Sequence, residues 1–347
     1  MMKHATDPRI PRSSRDSRVT AMVRLLALVT LSAMTVMGLV AVTGPAQAKV
    51  PGPNGQIVFS RFDGDTGNAD VFVADPDGTN AQEVPLVYPA ESEGGAFWSP
   101  NGSKLLITNV FRSDGSGGFL PFRPATVDPD GSDFNLLDPP GAPEDMFCTA
   151  WSPDATLILC AFGGDEPGVF SIRASDGGDP VRLSTNPYGA DAQDLPGDYS
   201  PDGARIVFMR TKPGRNERGA LFVADADGTD PRQITPYGLA NSGENFAHWS
   251  PDGTNILFGS AQGKLFIVHP DGTGLTQISL DTGGGRSFAF SPGWSPDGTS
   301  ILFAIFLWKS DSEDIYTAKA DGTNLIKVTD TPNIEIFADW GPHPLAT

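Results

Sequence analysis

The sequence predicts an all-β protein: a six-bladed β-propeller of four-stranded antiparallel blades, closed by pairing of the C-terminal strand with the N-terminal blade. Three observations carry this prediction. A short turn motif that begins with an aromatic residue recurs along the chain, and a second motif built on Asp-Gly alternates with it. Turn formers and core formers are abundant together: 40 Gly and 31 Pro, about a fifth of the 347 residues, beside 9% aromatics. Many short strands joined by tight turns satisfy that composition, and a helical bundle does not.

The chain opens on an address. A basic stretch ending at Arg24 precedes an apolar run from Leu25 to Val42, and Ala46-Gln47-Ala48 puts small residues where a signal peptidase reads. Residues 1–48 are therefore expected to be a signal peptide and residues 49–347 the propeller domain. The apolar run approaches spanning length, so a retained anchor is the alternative, and Met22 is an alternative start. After cleavage no membrane insertion is expected, and the product is secreted or held in the periplasm or cell envelope.

The repeat follows. Trp98-Ser99-Pro100-Asn101-Gly102 returns as Trp151 to Ala155, Tyr199 to Gly203, Trp249 to Gly253 and Trp294 to Gly298, with a degenerate copy at Trp340-Gly341-Pro342. The intervals between aromatics are 53, 48, 50, 45 and 46 residues. Between them lie Asp77-Gly78, Asp130-Gly131, Asp176-Gly177, Asp227-Gly228, Asp271-Gly272 and Asp321-Gly322. The copy around Trp249 parses into strands at Asn245 to Trp249, Asn255 to Gly259, Lys264 to His269 and Leu275 to Ile278. Pro presets the first turn and Gly supplies its positive φ, while Asp-Gly is a preferred hairpin turn. Four strands per roughly 50 residues make one propeller blade.

The two ends complement each other. Gly52 to Gly55 resembles the first turn and Ile57-Val58-Phe59 a second strand, yet no aromatic first strand precedes them. Ile336 to Trp340 is a first strand with no second strand after it. Joining them gives six complete blades and removes a free sheet edge.

These motifs resemble the TolB-type propeller repeat, whose hallmark is the W-S-P-D-G turn, across residues 55–340. The resemblance implies a secreted interaction or binding module. TolB carries an α/β domain before its propeller; here the repeat begins a few residues after the signal, and no such domain is expected. Related propellers also serve as front domains of serine peptidases and as sugar-cleaving enzymes.

The net charge of −18 argues against nucleic acid and anionic membrane surfaces as partners, and leaves cations or basic partners. No Gly-x-Ser-x-Gly elbow occurs. Beyond the signal the histidines are His248, His269 and His343, of which only His248, beside Trp249 on an inner strand, is expected near the axis. The Asp-Gly turns invite a calcium reading, but their register differs from the EF-hand loop, and Asp-Gly is favoured on conformational grounds alone. Cys148 and Cys160 flank the hairpin that turns near Asp154, so they are expected to face each other and, after export, to form a disulfide.

Two other segments stand out. Phe111 to Pro124, rich in Gly and Phe, is expected to link the second and third strands of one blade, and Ala304 to Trp308 is a second apolar stretch at the same point of another. Five residues before each repeat aromatic stand Glu93, Asp194, Glu244 and Glu335; the Trp151 copy has Met146 there with Asp145 beside it, and the Trp294 copy has Ala289. Pseudo-symmetry places these at the start of the innermost strands, around one channel mouth. They read either as acceptors for backbone N–H groups of a neighbouring blade or as an acidic ring for Ca²⁺ or a Lys/Arg-bearing partner.

The expected function is that of a monomeric, non-catalytic secreted propeller that needs no cofactor and binds a protein, peptide or glycan through one face or the channel mouth. The candidate contacts are Glu93, Asp145, Asp194, Glu244, Glu335 and His248. The alternative is an extracellular enzyme that cleaves polysaccharide or peptide at the mouth.

Overall fold

The computed structural model describes residues 54–342, apart from 64–67, 87–91, 113, 115, 117–119, 141, 143–144, 164–166, 190–191, 215–217, 242–245, 285, 309 and 311. The signal region, His343 and Glu244 lie outside the described residues. Among those described there is no helix, and the strands form six antiparallel sheets.

The first blade runs outward from Ile334–Pro342 through Asn54–Phe62 and Ala69–Ala74 to Gln82–Glu83. The second has Ser92–Glu93 and Ala96–Trp98 innermost, then Leu105–Phe111, Arg123–Val127 and Asn135–Leu136. The inner strands of the remaining four are Met146–Trp151, Asp194–Tyr199, His248–Trp249 and Ser287–Trp294. The inner strand beside Trp249 is shorter than the expected Asn245 to Trp249, since Phe246 and Ala247 do not pair. Ala304–Leu307 belongs to the second strand of the sixth blade, Ser300–Leu307, so only Trp308 of that apolar stretch lies in a turn. Phe111 and Arg123 do bound the segment joining the second and third strands of the second blade.

Closure is direct. The C-terminal strand pairs with Asn54–Phe62 in the register Ile57 to Trp340 and Phe62 to Ile334. In the same blade a Cβ at Gly78 would stand 2.1 Å from the carbonyl oxygen of Val328 in the sixth blade, and Gly78 itself has φ +82°. Glycine is thus required there twice, by the turn and by the adjoining blade.

Each W-S-P-D-G turn is a self-contained hydrogen-bond unit. In the fifth blade Ser250 Oγ donates to Asp252 Oδ1 at 2.6 Å and accepts from the Asn255 N–H at 2.9 Å, while Asp252 Oδ1 also accepts from the Thr254 N–H at 3.0 Å. The same set recurs around Ser152, Ser200 and Ser295. The closing residue has φ near +70° in four copies, and Ala155 takes it at φ +58° in the fifth. A left-handed alanine costs about 1–2 kcal/mol. Cys148 and Cys160 sit directly opposite each other in that blade and form a disulfide.

The core lies between blades. One apolar cluster joins Val58, Val71 and Val73 of the first blade to Trp98, Leu105 and Ile107 of the second, and another joins Leu159 and Val169 of the third to Ile206 and Phe208 of the fourth. Phe59, Phe208, Phe258 and Phe303 hold corresponding places on four second strands and are fully buried. Truncating one such phenylalanine to alanine costs about 3–5 kcal/mol.

Candidate functional site

Topology gives the ring two unlike faces. Both turn motifs lie at the same end of every blade, because the first strand ends where the second begins and the third ends where the fourth begins. This end is the turn face; the opposite end, where inner strands start and second strands finish, is the loop face.

The turn face is acidic. Its first turns carry Asp154, Asp202, Asp252 and Asp297, and its second turns Asp77, Asp130, Asp227, Asp271 and Asp321. The Thr79 hydroxyl and N–H hold the carboxyl of Asp77 below the usual range, and the residue two positions on does the same for Asp130, Asp227, Asp271 and Asp321. At Asp154, Asp202, Asp252 and Asp297 partial burial pushes upward, and hydrogen bonds from the Ser hydroxyl and a backbone N–H outweigh it. Hydrogen bonding to the charged form is the physical cause in both sets.

At the centre of this face a shallow depression is lined by Phe97, Asp198, His248 and Asp339, by Trp98 and Trp249, and by the turn prolines. The rings of Phe97 and His248 meet at 5.7 Å, and Phe246 lies 6.3 Å from Phe97 and 5.2 Å from Phe147. These rings come from the second, third and fifth blades and fill the axis. Asp339 Oδ2 accepts the Trp98 N–H at 2.9 Å, and Asp198 Oδ2 accepts the Trp249 N–H at 3.2 Å and lies 3.7 Å from His248 Nδ1.

The chemistry repeats every three blades. The residues just before the repeat aromatics read Asp339, Phe97 and Ala150, then Asp198, His248 and Gly293. The positions five before them read Glu335, Glu93 and Met146, then Asp194, Glu244 and Ala289. Partners across the strand follow: Arg61 opposes Glu335 and Arg210 opposes Asp194, whereas Phe162 opposes Met146 and Ile305 opposes Ala289. In these four blades charge meets charge and apolar meets apolar, whereas Glu93 of the second blade opposes Val110.

The acids expected to form a ring at a mouth are thus placed differently from one another. Asp194 and Glu335 start their strands at the loop face but are fully buried in ion pairs. Arg210 donates to Asp194 at 2.8 and 2.7 Å and stacks over Phe208 and Phe222, and Asn186 donates to Asp194 at 2.9 Å. Arg61 donates to Glu335 at 3.0 Å and lies over Phe72. The donors are arginines of the same blade, joined by Asn186 at Asp194 and by the Thr331 hydroxyl at Glu335, all of them side chains and not backbone of a neighbouring blade. The carboxylates that do accept neighbouring-blade backbone are Asp198 and Asp339, four residues further along the strand. Glu93 pairs with Val110 in the backbone ladder, and Asp145 is half-buried just before its strand. Among the described residues, His248 is the one expected contact that lines the depression. Among the described residues no three His, Cys, Asp or Glu side chains gather closely enough to hold a metal ion.

The sequence reading missed Asp198, Asp339 and Phe97. The available signal was position: each immediately precedes a repeat aromatic, as His248 does.

No family model matches the sequence, and no curated protein matches it. The fold has many solved relatives. It is a six-bladed propeller similar to TolB. The TolB of Acinetobacter baumannii superposes with a TM-score of 0.60 at 18% identity, over 83% of this chain and 67% of that one. A chain of a nidogen/laminin complex matches at TM-score 0.55 and 10% identity, over 82% of this propeller and 98% of the other chain. The hydrazine synthase of Kuenenia stuttgartiensis matches at TM-score 0.60 and 14% identity, and the propeller spans 48% of its chain. At these identities the likeness is one of fold.

Proposed function

We propose that the chain is an exported, non-catalytic propeller of TolB type, acting as a single copy, that recognises a protein, peptide or glycan partner through one face. One observation carries the reading: Phe97, Phe147, Phe246 and His248 fill the axis, so the ring offers faces for recognition in place of a tunnel for substrate. Export rests on the basic stretch, apolar run and Ala46-Gln47-Ala48 of the N-terminus, and a disulfide suits an oxidising compartment. Among the fold relatives, nidogen is seen in complex with laminin, which is the kind of role proposed here.

A second reading, an enzyme acting on polysaccharide or peptide, draws on His248 lying 3.7 Å from Asp198 in the depression, the arrangement of a base beside its orienting carboxylate. Cross-linking in intact cells followed by isolation of the protein separates the two. The binding reading expects a stoichiometric partner and no cleavage of glycan or peptide by the parent protein. A protein that elutes alone and cleaves glycan or peptide, with cleavage lost in His248→Gln, overturns it.

A further inference from the structure

We propose that Lys212, held between Tyr188 and Tyr237 on the loop face, receives one acidic side chain, aspartate or glutamate, of a polypeptide partner. This rests on the partner-binding reading and adds which face binds and what the partner brings.

The site is built from two copies of one tripeptide. Pro187-Tyr188-Gly189 leads from the third blade into the inner strand of the fourth, and Pro236-Tyr237-Gly238 leads from the fourth towards the inner strand of the fifth. The two glycines turn the chain at φ +80° and +89°, and a Cβ on either would meet nothing within 4 Å, so both loops stand at the open surface. Their bases are fixed. The Tyr188 N–H donates to Asn186 Oδ1 at 3.0 Å, and Asn186 in turn donates to Asp194 at 2.9 Å. The Gly238 N–H donates to the Gly219 carbonyl at 3.0 Å, and the Tyr237 ring meets that of Phe222 edge-on at 6.3 Å.

Lys212 follows the second strand of the fourth blade and lies between these loops. Its ammonium stands 3.8 Å from the centre of the Tyr237 ring and 5.4 Å from that of Tyr188. The two phenols come together there: burial, and then the hydrogen bond with Tyr188, push the Tyr237 hydroxyl up to about 12.

Pairing sets this lysine apart from other cations at the same end of the blades. Arg61 has Glu335 at 3.0 Å, Arg123 has Asp138 at 2.7 Å and Arg210 has Asp194 at 2.7 Å. Lys212 has the two rings and, among the described residues, no carboxylate within ion-pair distance. An aromatic face attracts an ammonium but gives its N–H groups no oxygen acceptor. The rings also restrict the side chain before any ligand arrives and hold its charge partly out of water. A carboxylate therefore gains more here than at a freely moving surface lysine.

Two observations choose a polypeptide. Tyr188 is 43% exposed, and Pro187 and Pro236 are exposed in the same two loops. The neighbours of an acidic side chain cover such a rim, and a free anion leaves it bare. The chain carries a net charge of −18, so a polyanion such as an acidic glycan is repelled along its length. A polypeptide can bring a single carboxylate to the single cation.

The probe is an acetylated, amidated Gly/Ser peptide with one glutamate between two phenylalanines, set against its glutamine counterpart, which keeps the shape and loses the charge. A uronic-acid oligosaccharide is the third ligand. Binding to the full exported protein is followed by calorimetry at low ionic strength. The glutamate peptide is expected to bind about tenfold tighter than the glutamine peptide, and added salt is expected to erode the preference. Lys212→Gln, a change in a surface loop, should abolish the preference with little change in Tm. Arg286→Gln removes the same unit of charge beside the exposed Trp308 of the sixth blade and should leave the preference intact. The proposal is overturned by peptides that bind equally or not at all. It is overturned equally by a preference that survives Lys212→Gln or falls as far in Arg286→Gln, and by an oligosaccharide that binds through Lys212 in place of the peptides. A cross-linked partner that maps to the turn face overturns it too while leaving the partner-binding reading intact; absence of any partner defeats that reading itself.

Discussion

Asp194 gives up its exposure to water and gains two hydrogen bonds from Arg210 and one from Asn186, with the guanidinium spread over two phenylalanine rings. Removing one partner of such a buried pair leaves an uncompensated charge and costs about 3–5 kcal/mol, whereas replacing both by apolar groups of matching volume is often neutral. The molecule holds its own template for that exchange, since Met146 faces Phe162 at the same position of the third blade. Arg210→Leu is therefore expected to lower stability by about 3–5 kcal/mol, and Asp194→Met/Arg210→Phe to recover most of it. Chemical denaturation of the single and double variants checks this; a double variant as weak as the single would show that the pair has a role beyond mutual neutralisation. The acids at these positions were legible in the sequence and their arginines were not. Register across a bulged hairpin decides what faces Asp194, and the bulge between Pro196 and Asp198 shows only in the fold.

At the scale of the element, the turns were the most legible feature, because their residues are chosen by local chemistry. Ser, Asp and Gly of each first turn bond within five or six residues of one another, so the motif survives wherever the turn does. Closure was legible for a related reason, as a first strand lacking a second at one end matched the reverse at the other. Inner-strand residues facing the axis carried less signal, since Asp, Phe, Ala, His and Gly all occupy that one position and no single type marks it. Closure makes a strong prediction. Deleting residues 335–347 removes the strand that pairs with Asn54–Phe62, the Arg61 partner Glu335 and the Trp98 acceptor Asp339. The truncated protein is expected to lose its cooperative thermal transition. A truncation that melts like the parent would mean that the N-terminal blade stands without its inner strand.

Over the whole molecule the two turn motifs concentrate carboxylates on one face, and the hydrogen bonds that shape the turns also hold those carboxyls below their ordinary values. A carboxyl lowered in the native state adds stability above its unfolded value, and that stability is lost as pH falls through the native value, so the loss lies below about pH 4. Between neutral pH and that range the Tm of Asp154→Asn/Asp202→Asn/Asp252→Asn should fall less than that of the parent. An equal fall would mean that the turn carboxylates do not govern acid stability. With carboxylates gathered there, Lys212 and its two tyrosines make the loop face the expected seat of recognition.

Amide hydrogen exchange, with and without the partner recovered by cross-linking, tests that claim most directly. The account predicts slowed exchange on the loop face, at residues 186–189 and 235–241. Slowing confined to the turns that follow Trp98, Tyr199 and Trp249, around the depression, would contradict it.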